Sequence, residues 1–118
     1  MYYLVSLVLD DVNLSSDVLD AWDQAGAGGI TIIETTGLAR IRRKEGLRDD
    51  MPLMPSLRAM FHAREEHHRT LFSIVEGEAM VEKLIAATEA VVGDLTRPHS
   101  GILFALPLSH VVGIRRGE

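Results

Sequence analysis

The sequence predicts an α+β domain of the split βαβ kind, in which two strand–helix–strand units share one antiparallel sheet and both helices cover the same face. Three observations carry that expectation. Two amphipathic segments of helical period are each bracketed by β-branched runs, the two units are of similar length, and a long charged stretch lies between them. The chain of 118 residues fits a single domain, 1–118, with a modest core. With 47% hydrophobic and 25% charged residues it has enough apolar material to fold.

Residues 2–9 form the first strand, rich in aromatic and branched side chains. Tyr3, Val5, Leu7 and Leu9 face one way and Leu4, Ser6 and Val8 the other, so both faces are expected to be covered. Asp10 and Asp11 end the strand, because carboxylates there are costly to bury. Asn13 or Ser15 can cap the helix that follows. Leu14, Val18, Leu19, Trp22 and Ala25 make its apolar stripe, and Trp22 reads as a core anchor. Gly26, Gly28 and Gly29 turn the chain into a β-branched second strand over 30–36.

The character changes at Gly37. Arg40, Arg42, Arg43, Lys44 and Arg48 crowd together and are followed by Asp49, Asp50, Pro52 and Pro55. Such a stretch is not a core element, and its prolines exclude a regular helix. The region 37–69 is longer than ordinary connections, which marks it as a binding loop or a mobile segment. Within it, 56–68 has the pattern of a short helix capped by Ser56, with Leu57, Met60 and Phe61 on one side. Residues 70–75 follow as the third strand. A second helix spans 78–92, with Met80, Val81, Leu84, Ile85, Thr88 and Val91 as its buried stripe. The fourth strand covers 102–106, Pro107 ends it, and 111–115 is expected to add a short edge strand. The face opposite the helices still carries apolar residues such as Leu4, Val8, Ile33 and Ile74, an argument for self-association.

Several function classes are excluded or disfavoured by composition. No cysteine is present, which removes disulfides, thiolate chemistry and Cys-based zinc sites and is compatible with a cytoplasmic location. Twelve Lys and Arg against 17 Asp and Glu give a net charge of −5, which argues against non-specific nucleic-acid binding. The apolar start lacks a basic leader, and no stretch approaches the roughly 20 apolar residues of a membrane span, so no membrane insertion is expected. Neither a phosphate-binding loop nor a nucleophile elbow occurs, so the chain is not expected to be an enzyme.

At this level of detail the sequence resembles the PII signal-transduction proteins and their PII-like relatives. The likeness rests on the order of elements and on four stretches: Gly28-Gly29-Ile30-Thr31, Gly37-Leu38-Ala39-Arg40, the run from Val75 to Lys83, and Gly101-Ile102-Leu103-Phe104-Ala105-Leu106-Pro107 followed by Ile114-Arg115-Arg116-Gly117-Glu118. The resemblance implies a ferredoxin-like fold, a homotrimer with inward-facing sheets, and clefts between subunits that bind a small anionic effector such as an adenine nucleotide or bicarbonate. It also implies a loop that contacts a regulated protein or membrane transporter. Gly37, Arg40, His99, Gly101, Arg115 and Arg116 are then the effector-binding candidates, and Arg42, Arg43, Lys44 and Arg48 the partner-binding ones. The departures are specific: Ile41 stands for the family's glutamine, Ile102 for a phosphate-binding lysine, Gly113 for a second arginine, and the loop has no tyrosine. Each lost charge-assisted contact is worth about 1.5–3 kcal/mol, so an effector other than the family's usual nucleotide is expected.

The histidines give a different reading. If 57–68 is helical, His62 and Glu66 are i,i+4 neighbours, as are Arg64 and His68, and His62, Glu66 and His68 become metal-ligand candidates. That alternative resembles the related metal-tolerance proteins of the same overall fold. A third reading is a structural oligomer without a retained ligand site.

Overall fold

A computed structural model of the chain describes residues 1–37, 66–98 and 100–114. Strand β1 (Tyr2–Leu9) leads through a 3-10 turn (Val12–Leu14) to helix α1 (Ser15–Ala25) and strand β2 (Thr31–Gly37). Strand β3 (Glu66–Glu76), helix α2 (Glu78–Val92) and strand β4 (Ile102–Leu108) follow. The strands make one antiparallel sheet in the order β2-β3-β1-β4. With both helices on one face this is the ferredoxin-like α+β fold.

The alternation along β1 decides where the core sits. Val5 lies opposite Ser73 and Ala105, and Leu7 opposite Leu71 and Leu103, so these residues share the face beneath the helices. Val5, Leu7, Leu9, Val18, Trp22, Leu71 and Leu84 are fully buried there. Each such side chain contributes about 1.5–3 kcal/mol of hydrophobic stabilisation. Trp22 joins the helices, because its indole Nε1 donates to Thr88 Oγ1 at 2.8 Å while that hydroxyl donates to the Leu84 carbonyl at 2.7 Å. Helix α1 ends as its glycines predict: Gly26 adopts φ +111°, and the Ala27 N–H returns to the Trp22 carbonyl at 3.1 Å.

The structure corrects several boundaries. Neither Asn13 nor Ser15 caps a helix: the carboxylate of Asp11 accepts from the Asn13 N–H at 3.0 Å and caps the 3-10 turn, whereas Ser15 Oγ donates to the Val12 carbonyl at 2.7 Å. Residues 66–68 are not the end of a helix but the start of β3. Their register, with Gly37 opposite Glu66, Thr36 opposite His67 and Thr35 opposite His68, shows that the ladder takes up the backbone there. β4 continues through Pro107 to Leu108 because it is an edge strand, where a missing N–H leaves no ladder partner wanting. The edge strand expected from 111 does not form over the described residues 111–114, and Gly113 at φ +101° turns the backbone out of the extended region.

Candidate functional site

Antiparallel register gathers four chain segments at one end of the sheet. β1 finishes there at Leu9, β2 at Gly37, β3 starts at Glu66, and β4 starts at Ile102 just after Gly101. Of the effector-binding candidates, Gly37 and Gly101 therefore sit at the same end, but on the two outer strands. Three strand spacings, about 14 Å, separate β2 from β4. Arg40, His99, Arg115 and Arg116 lie outside the described residues, as do Arg42, Arg43, Lys44, Arg48 and His62. Ile102, at the position of the family's lysine, begins β4 and is 64% exposed.

Gly101 has a backbone reason for its identity. It adopts φ +126°, and a Cβ there would lie 2.6 Å from the Val8 carbonyl oxygen, so only glycine lets the turn approach β1 this closely. The turn that leads to it is ordered by its own polar groups. Asp94 Oδ1 accepts from the Thr96 hydroxyl at 2.7 Å and the Thr96 N–H at 2.9 Å, and these bonds hold its carboxyl below the usual carboxylate range. Ser100 Oγ donates to the Arg97 carbonyl at 2.7 Å, and Glu89 Oε2 accepts from the Leu95 N–H at 3.1 Å. Between this turn and the 3-10 turn lies an open depression of about 250 Å³, lined by Asp11, Leu14, Val92, Asp94, Arg97, Pro98 and Ser100.

The first residues of β3 tie this end of the sheet together. His68 Nε2 lies 3.6 Å from Asp10 Oδ1, on the face away from the helices. Beside it the hydroxyls of Thr35 and Thr70 are 3.1 Å apart. On the helix side Arg69 Nη1 donates to Ser15 Oγ at 2.8 Å, while Nη2 lies 3.6 Å from Glu34 Oε2. Arg69 thus links β3 to the start of α1 and to β2. Sequence reasoning missed this role because it began the strand at Thr70, and no apolar alternation marks residues 66–69 as strand; only the pairing with β2 and β1 does. The helical spacing of His62 with Glu66, and of Arg64 with His68, does not hold where β3 begins. No group of three or more His, Cys, Asp or Glu able to hold a metal occurs among the described residues.

The face opposite the helices is apolar, as expected from Leu4, Val8, Ile33 and Ile74. Register adds Phe72 on β3 and Ile102, Phe104 and Leu106 on β4. Ile33 is 46% exposed, Phe104 42% and Leu106 49%. Among the described side chains, those with charge lie on this face only towards its ends: Asp10 and His68 at one, Glu76 at the other. No helix among the described residues is long and apolar enough to cross a membrane.

No protein-family profile matches the sequence, and no curated protein matches it. Among solved structures, the chain is similar to Arabidopsis thaliana PII bound to citrate, with a TM-score of 0.65 and 18% sequence identity over 99% of this chain and 86% of that one. A likeness at that identity establishes a shared fold.

Proposed function

We propose that the chain is a PII-like regulatory protein, one domain over 1–118, that assembles as a homotrimer through its open sheet face. It binds a small anionic effector at clefts between subunits and contacts a regulated protein through the segment that joins β2 to β3. The observation that carries this reading is the placement of Gly37 and Gly101 at one end of the sheet but on its opposite edges. One chain cannot close a cleft with both. Side-by-side copies, β2 of one next to β4 of another, bring the two glycines to a common boundary.

Arg40 and Arg115 are the cations assigned to that boundary, and Arg97 on the 94–100 turn is a third. The effector class is a small polycarboxylate or phosphate, in line with the citrate held by the plant protein of the same fold. The absence of a lysine at Ile102 and an arginine at Gly113 favours a compact anion over a nucleoside triphosphate. The protein acts as a cytoplasmic switch and not as an enzyme: effector and partner bias one conformational equilibrium.

Isothermal titration of the full chain against citrate, bicarbonate, ATP, ADP and a cyclic nucleotide tests the reading. Binding of at least one anion is expected, weakened about tenfold or more by Arg115→Ala because a charge-assisted bond is lost. An assembled protein that binds none of the five overturns the cleft assignment.

A further inference from the structure

Near the centre of the open face lies a buried hydroxyl with no partner among the described residues. Ser6, Ser15, Ser73 and Thr88 are the buried polar side chains among the described residues. Three of them are satisfied within the chain: Ser15 donates to the Val12 carbonyl at 2.7 Å, Ser73 to the Gly29 carbonyl at 2.6 Å and Thr88 to the Leu84 carbonyl at 2.7 Å. Ser6 is only 6% exposed, and its hydroxyl has no partner among the described residues. Its register neighbours are Phe72 on β3 and Phe104 on β4, so the short serine lies in a notch between two phenylalanines. An unsatisfied buried hydroxyl destabilises a chain, and a strand otherwise made of Tyr, Leu and Val gains nothing by keeping one there.

We infer that a second copy of this chain supplies the partner of Ser6, directly or through one trapped water, and that Ser6 thereby fixes how copies register and how many join. The inference rests on the self-association part of the function proposed above. The face has the anatomy of an interface, with an uncharged apolar centre and polar ends. Ile33, Ile102, Phe104 and Leu106 alone expose on the order of 400 Å², a large share of the roughly 800 Å² that each partner of a stable pair buries.

A copy of the same face offers few polar groups to meet Ser6. Thr31 shares the cross-strand row of Ser6 but sits out on the edge strand β2, Thr35 and Thr70 already face each other, and the charged residues sit towards the ends, which leaves the other copy's own Ser6 as the central candidate. Hydroxyl counting then selects the symmetry. Two serines across a twofold axis leave one proton without an acceptor. Three around a threefold axis close a ring in which each donates once and accepts once.

Sedimentation velocity and native mass spectrometry of the full chain and of Ser6→Ala, over a dilution series, test this. Urea unfolding of both is added at a concentration where they are monomeric, and subunit exchange replaces dilution if the assembly is too tight to separate. The wild-type chain is expected to give one assembled species. Ser6→Ala is expected to weaken assembly about tenfold or to spread it over several stoichiometries, while its monomer unfolds at the same or a higher urea concentration. If Ser6→Ala matches the wild type in affinity and stoichiometry, the inference is overturned and self-association stands. A wild-type chain that stays monomeric, or carries a bound apolar molecule on this face instead, overturns both.

Discussion

A side chain at position 101 collides with the Val8 carbonyl oxygen, and the backbone there is in a region that L-residues avoid. Gly101→Ala is therefore expected to destabilise the fold by about 2–4 kcal/mol in urea denaturation, combining overpacking with backbone strain. Gly28→Ala is the control, since nothing lies within 4 Å of its added carbon. Gly101 also shows what a sequence conceals at this scale. Read from the chain it belongs to an effector site, and from the structure it has a sufficient reason in packing alone. Arg69 is the opposite case, unremarked in the sequence yet joining three elements. Its link to Glu34 is solvent-exposed and adds little stability. Its bond to Ser15 matters more, because it fixes where α1 starts against β3.

Among the elements, the two helices were legible almost to the residue because apolar side chains at a period of 3.6 mark them: Val18 and Trp22 on α1, Leu84 and Thr88 on α2. Thr88 is the polar member of that stripe and is kept by the Trp22 indole. Thr88→Val removes the acceptor while preserving shape, and should cost about 1–3 kcal/mol because the indole N–H is left buried and unpaired. A shifted tryptophan fluorescence spectrum with unchanged far-ultraviolet circular dichroism would identify that mechanism. The start of β3 was not legible. Glu66, His67, His68 and Arg69 carry no apolar alternation, and only pairing with β2 and β1 makes them a strand. The same limit hid the extension of β4 past Pro107, since edge position is a property of the sheet and not of the segment.

Over the whole molecule, one face of the sheet has no cover from the described residues of a single chain. The apolar pattern of β1 announced this, but only the register with β3 and β4 shows how the exposed residues join into one patch. Leu106→Lys, at a position 49% exposed on that patch, should leave the fold intact and abolish assembly. Light scattering that reports a monomer, together with an unchanged unfolding midpoint at high dilution, is the expected result. An assembly of undiminished mass would move the contact elsewhere.

The adjacency of β2 and β3 has a consequence for how this fold can change. Because Gly37 and Glu66 face each other in the ladder, the chain leaves the sheet and comes back one strand spacing away. The connection from Gly37 to Glu66 thus joins ends that the sheet already holds together. Doubling the length of such a connection costs only about 0.6 kcal/mol in closure entropy. The sheet therefore exerts almost no selection on what is inserted there, and recognition chemistry can be rewritten wholesale between those two residues while the core beneath keeps its sequence.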